Sequence, residues 1–260
     1  MTESISLIFL AALGLVIGFV GGLVGLVLGV VRFPFIFGNE ISAAVTAGTN
    51  VGVSTLGALT AAIRHFRQNN IHRRIFLIMA STGAVGGFLG SLLTKYVPVN
   101  LLLAIIGVIV SYEACLLLLG LRKKNHQVQE KQRKNFVCLE SLIGFGIGFL
   151  GGLVGLILGS IRMPAMISML RMDPKVAIGT NLASATIMGT FALLGHIIYN
   201  EVDYLTLAVM GSTAMVGSYI GARFTNRFSP EKLKMLIGFV LIVVALFMFS
   251  RVALSYWFQT

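Results

Sequence analysis

Gly18-Phe-Val-Gly-Gly-Leu-Val-Gly-Leu-Val-Leu-Gly-Val-Val-Arg-Phe-Pro34 returns later in the chain as Gly148-Phe-Leu-Gly-Gly-Leu-Val-Gly-Leu-Ile-Leu-Gly-Ser-Ile-Arg-Met-Pro164, with twelve of the seventeen positions identical. Downstream the register shifts by one residue. Gly48-Thr49-Asn50 then matches Gly179-Thr180-Asn181, His65 matches His196, Gly86 matches Gly217, Gly90 matches Gly221 and Gly107 matches Gly238. A colinear match of this length is a duplication. The copies occupy residues 1–121 and 137–260, and a basic stretch, 122–136, links them.

Composition places the duplicated unit in a bilayer. Of 260 residues, 57% are hydrophobic and only 11% charged, with a mean hydropathy of +0.92. A soluble domain carries about 25% charged residues, so an ordinary water-facing surface is excluded. Eight apolar runs follow one another: Ile5 to Phe37, Ile41 to Phe66, Ile75 to Val97, Leu101 to Leu121, Phe136 to Leu170, Val176 to Tyr199, Tyr204 to Phe224 and Leu233 to Phe258. Six have the length of one helical crossing, about 20 residues. The first and fifth are too long for one. The start, Met1 to Phe9, has no Lys or Arg and is read as part of the mature protein rather than a secretory signal. Cys115 and Cys138 have no metal-ligand spacing and are read as small buried hydrophobes.

Charge decides between parallel and inverted copies. There are 20 Lys and Arg against 9 Asp and Glu, a net charge of +11. The cations sit in short clusters between apolar runs, which is a membrane pattern and not a nucleic-acid-binding one. If every run crosses once, the 20 cations divide 11 against 9 and give no orientation. If each overlong run dips in and returns on the same face, each copy crosses three times and the copies are inverted. Then 17 of the 20 cations share one side, all but Arg32, Lys95 and Arg251. The positive-inside rule favours that split and puts both termini outside, with 122–136 as a cytoplasmic linker. The expected fold is therefore an all-α membrane protein. It has two inverted repeats, each a re-entrant or broken helix segment plus three transmembrane helices. Two arms of about 15 residues fit each overlong run. The bend belongs among Gly18, Gly21, Gly22, Gly25 and Gly29, and among Gly148, Gly151, Gly152, Gly155 and Gly159. The plainer alternative is that these glycines only let helices pack closely.

Candidate binding residues follow from the same frame. Arg32 and Arg162 sit at equivalent places just past the bends. Arginine in hydrocarbon is costly unless paired or solvated, and its planar fork suits an oxyanion. The alternative is snorkelling to headgroups. Thr49, Asn50, Thr180 and Asn181 are expected near helix starts, either as ligand donors or as caps and interhelical bonds. Gly22, Gly25, Gly152 and Gly155 would let a ligand approach backbone. For coupling, Glu113 is an acid inside an apolar run, and His65 and His196 titrate near neutrality. Glu113 also suits a structural ion pair, and the histidines suit the interface, with His65 between Arg64 and Arg67. No P-loop and no nucleophile–base pattern is present, so no enzyme is expected, and no cofactor or metal site either.

These residues resemble the sulfite exporter TauE/SafE family. The resemblance rests on the duplicated Gly-x-x-Gly-Gly-Leu-x-Gly…Pro segment, the Gly-Thr-Asn that follows, and Gly86…Gly90 with Gly217…Gly221. It implies secondary transport, as export of sulfite or organosulfonates across a prokaryotic plasma membrane, without a bound cofactor. This chain departs from the family pattern at Leu26–Arg32, where members commonly carry a glycine run, and at Thr-Asn, where Thr-Ser is common. The expected partners are a small inorganic or organic anion and the lipid bilayer. A homodimer, a passive anion channel and a non-transporting membrane subunit stay open.

Overall fold

A computed structural model describes residues 2–37, 42–96 and 137–229, with 231–233, 235–240, 242–243 and 246 beyond them. The fourth apolar run, its Glu113 and the linker lie outside the described residues. Among the described residues every regular element is helical. The first copy holds α1 (Thr2–Val24), α2 (Gly29–Phe37), α3 (Ala43–Arg67) and α4 (Arg73–Ser91). The second holds α5 (Val137–Val154), α6 (Gly159–Pro164) with a π-turn over Ala165–Met169, α7 (Pro174–Ile198) and α8 (Tyr204–Thr225).

Among the described residues five helices, α1, α4, α5, α7 and α8, are long and apolar enough to cross a bilayer. Helix α3 is as long as α7 but more polar. Both carry buried polar residues at the centre, and α3 adds Arg64 and Arg67 in its last turn.

Each overlong run is broken once. The break falls after a long first arm, 23 residues in α1 and 18 in α5, and before a short second one. The equal arms expected from length are not found, because the helix has no breaker until Gly25 or Gly155. Both glycines take φ +73°. Leu26 N donates to Gly21 O at 3.0 Å and Leu156 N to Gly151 O at 2.9 Å. That is the 6→1 bond of a Schellman cap, which requires a left-handed residue at the glycine. Beyond the break the first run turns back. Phe35 lies edge-on to Phe9 with ring centroids 5.7 Å apart, and Leu10 and Ile36 share one buried cluster. A continuous helix would separate Phe9 and Phe35 by about 39 Å.

The remaining glycines of the motif pack helices. Gly18 and Gly22 face α8 so closely that a Cβ would meet the Ala214 carbonyl oxygen or the Ser218 backbone. Gly148 and Gly152 face Gly83 and Gly87 of α4 in the same way. Without water to expel between helices, such contact is the main source of cohesion in lipid. Hydroxyl bonds add to it: Ser218 Oγ donates to Gly18 O at 3.1 Å, Thr225 Oγ1 to Leu23 O at 2.9 Å and Thr94 Oγ1 to Gly152 O at 3.2 Å.

The copies exchange partners. Helix α1 lies along α8, and its counterpart α5 lies along α4. At the centre the equivalent helices α3 and α7 run antiparallel, with Gly48 beside His196, Thr55 beside Gly189, and His65 beside Gly179. One end of the bundle gathers the α3–α4 loop, the start of α7 and the end of α8, tied by Asn70 Nδ2 to Asn226 Oδ1 (2.9 Å) and His72 N to Thr180 Oγ1 (2.9 Å). Arg64, Arg67, Arg73, Arg74, Arg171, Lys175, Arg223 and Arg227 belong to these segments. The α7–α8 loop, with Glu201 and Asp203, lies at the opposite end, beside the start of α3. Cys138, expected inside the protein, is exposed at the start of α5.

Gly155→Ala should destabilise the detergent-solubilised protein by at least about 2 kcal/mol, since it forces a side chain into a left-handed conformation and its Cβ falls on the Ala47 backbone. Gly146→Ala, where a Cβ meets no described atom within 4 Å, should leave the thermal midpoint unchanged or slightly higher. Equal losses in the two variants would refute the break.

Candidate functional site

The breaks leave backbone unwound in a place without water. Each bare carbonyl or amide there costs several kcal/mol unless it is bonded. The bonds come from the opposite copy. Asn181 Nδ2 donates to Gly25 O at 2.6 Å, and Asn50 Nδ2 donates to Gly155 O at 3.0 Å. Asn181 also reaches Gly159 O at 3.2 Å. A Cβ at Gly29 or Gly159 would collide with these amides, so glycine at both ends of each unwound stretch is a packing requirement. The stretches 25–28 and 155–158 pass through the protein centre, each wedged against the other copy: Gly25 on Ile178 and Met163, Gly155 on Ala47, and Gly159 beside Val27 N.

The Gly-Thr-Asn triplet is the joint between copies. Gly48 admits the Glu201 carbonyl and Gly179 the Asn70 carbonyl. Thr49 Oγ1 accepts the Asp203 amide at 2.8 Å, and Thr180 Oγ1 accepts the His72 amide at 2.9 Å. The asparagines hold the breaks. The expectation that these residues sit at helix starts is corrected. The caps are Ser42 for α3 and Asp173 for α7, so Thr49, Asn50, Thr180 and Asn181 lie about two turns inside. Gly22 and Gly152 serve the α8 and α4 contacts, and Gly25 and Gly155 are the breaks themselves.

Arg32 and Arg162 lie just beyond the breaks and are fully enclosed, at 2% and 0% exposure. Snorkelling is thereby excluded. Neither has a carboxylate partner among the described residues. Arg162 is held on all sides: Nε donates to Asn181 Oδ1 at 2.5 Å, Nη2 to Asn181 O at 2.9 Å, and Nη1 meets the Met188 sulfur. Among the described residues Arg32 makes one bond, Nη2 to Ser54 Oγ at 2.6 Å. Its Nε and the nearby copy of the asparagine oxygen, Asn50 Oδ1, are both buried without partners. Among the described residues the two arginines line separate cavities and not the expected shared one. Arg32 lines one small cavity with Ser54, Gly57 and Ser218, and Arg162 lines another with Met188 and Gly189. Each measures about 10 Å³, room for one water at most. The cross-packed breaks fill the space between.

Both histidines are inside the protein, at 0% exposure, and His65 is not in a solvated cluster with Arg64 and Arg67. They are unequal. His196 Nδ1 pairs with Glu201 Oε2 at 2.8 Å, whereas His65 Nδ1 faces the Asn70 amide at 3.4 Å. Sequence reading missed Ser54, Met188, Asn70 and Glu201. All four differ between copies, so the repeat that exposed the motif could not flag them. Among the described residues no group of three metal-ligating side chains occurs.

Five membrane-length helices, two unwound breaks crossing at the centre and a buried arginine beside each define a multi-pass membrane protein of the transporter class. The chain belongs to the sulfite exporter TauE/SafE family, whose model matches residues 10–248. It is 28% identical over 225 residues to the probable membrane transporter protein YdhB of Bacillus subtilis, covering 85% of this chain and 90% of that one. It is 24% identical to the probable membrane transporter protein YunE of the same organism (92% and 96% covered) and 24% identical to YfcA of Escherichia coli, another probable membrane transporter protein (86% and 81%). No solved structure matches the chain.

Asn181→Ala should destabilise the protein by about 3 kcal/mol or more, because it strands the Gly25 carbonyl and a buried guanidinium together. Asn50→Ala, which removes one bond, should cost about 1–2 kcal/mol. Thermal unfolding in detergent checks the order, and a costlier Asn50 variant would contradict the joint.

Proposed function

We propose that this protein is a secondary transporter that exports a small sulfur oxyanion or organosulfonate across the plasma membrane. The observation that carries the reading is Arg32: a guanidinium enclosed in protein, with no carboxylate beside it among the described residues and an unpartnered Nε. A buried cation needs a counter-charge, and the substrate anion supplies it. The sulfur chemistry comes from the family. Two separate small cavities, one beside each arginine, favour a carrier over a channel.

Antiparallel equivalent helices α3 and α7 suit alternating access, in which one copy rocks against the other around a central site. The cation-rich end faces the cytoplasm by the positive-inside rule, and the start of α1 faces outward. The buried His196–Glu201 pair is the described group best suited to carry a coupled proton. Glu113 is a second candidate from its sequence position alone.

In proteoliposomes loaded with sulfite or methanesulfonate, the protein should give saturable counterflow that Arg32→Gln lowers at least about tenfold, the loss expected when a charged hydrogen bond of 1.5–3 kcal/mol disappears. Flux equal to that of protein-free liposomes would overturn the reading. Linear, non-saturating flux would replace the carrier by a channel.

A further inference from the structure

We infer that the two copies do not share the anion: the first copy binds it, at Arg32 and Ser54, while Arg162 is a positioning residue that holds its own hairpin closed. The inference rests on the anion reading above and divides its site. By sequence the two arginines are equivalent, and their surroundings are not.

Around Arg162 each guanidinium nitrogen has a partner. Asn181 takes Nε and Nη2, and the Met188 thioether covers Nη1. Among the described residues no hydroxyl lines its cavity. An oxyanion arriving there would have to displace the asparagine that also bonds Gly25 and Gly159, so binding would unmake the joint between copies.

Around Arg32 the polar surroundings differ. The place of Met188 is taken by Gly57, so no thioether meets the guanidinium there and Ser218 Oγ packs against the glycine instead, and the place of Ala185 is taken by Ser54, which adds a hydroxyl. Ser54 Oγ accepts from Arg32 Nη2, so its own proton is left to donate. Nε of the same guanidinium is buried and unpartnered. An oxyanion beside Arg32 would accept from Nε–H and from the Ser54 hydroxyl, a charge-assisted pair of the kind that guanidinium and a planar or tetrahedral oxyanion form. Ser218, on α8, lines the same cavity and is held to Gly18 O. Asn50 meanwhile keeps its amide on Gly155, so the first copy can bind without releasing its cross-copy bond. Enlarging this cavity from about 10 Å³ to anion size needs movement of α2 against α3 and α8.

Titration calorimetry of the purified full chain with sodium sulfite, and separately with sodium methanesulfonate, tests this. The expected stoichiometry is one anion per chain. Ser54→Ala should weaken binding at least tenfold without lowering the thermal midpoint, and Arg32→Lys should weaken it at least tenfold more than Arg162→Lys does. Two anions per chain of similar affinity, or unchanged affinity in Ser54→Ala, would overturn the division while leaving the transported anion in place. Wild-type protein that binds neither anion would remove the anion reading and this division with it.

Discussion

Everything in this fold depends on unwound backbone being satisfied where water is absent, and each copy satisfies the other. Asn181 bonds the carbonyl of Gly25 and Asn50 bonds that of Gly155. Neither hairpin could end inside a bilayer alone, because a helix stopped at membrane depth leaves its last carbonyls bare. The exchange makes the two copies one unit and brings each hairpin to the centre. It also fixes the arginines, which follow the breaks by seven residues in both copies.

Much of this was legible in the letters. The duplication and the glycine pattern located the breaks, and the sidedness of charge agreed with runs that return to their own face. The unequal arms were not legible. A helix ends at Gly25 because an asparagine 156 residues away holds its carbonyl, and no local rule contains that contact. Nor do the letters tell a glycine that bends from one that packs. Gly22 and Gly25 read alike, yet one sits under the Ser218 backbone and the other carries φ +73°. Thr49 was legible as a polar residue early in a crossing helix but not as an acceptor for Asp203. His65 was obscured by its neighbours Arg64 and Arg67, which helical geometry sends to other faces.

The two copies are alike in scaffold and different in polar detail. Their shared residues, Gly-Thr-Asn and the glycine ladders, bear the contacts that build the unit. The residues that differ, Ser54 against Ala185, Gly57 against Met188 and Asn70 against Glu201, surround the arginines and the histidines. A duplicated transporter needs its copies alike where they pack against each other, and on the proposed reading it needs them unlike where one substrate is held. Here those demands fall on different positions.

The return of the first hairpin is the geometric fact beneath all of this, and one cross-linking measurement addresses it. With Cys115 and Cys138 replaced, cysteines at Phe9 and Phe35, both partly exposed with rings in contact, are treated in native membranes with a short bifunctional reagent. The account predicts an intramolecular link in most chains. Absence of any link, with the two positions labelled from opposite sides of the membrane, would contradict it.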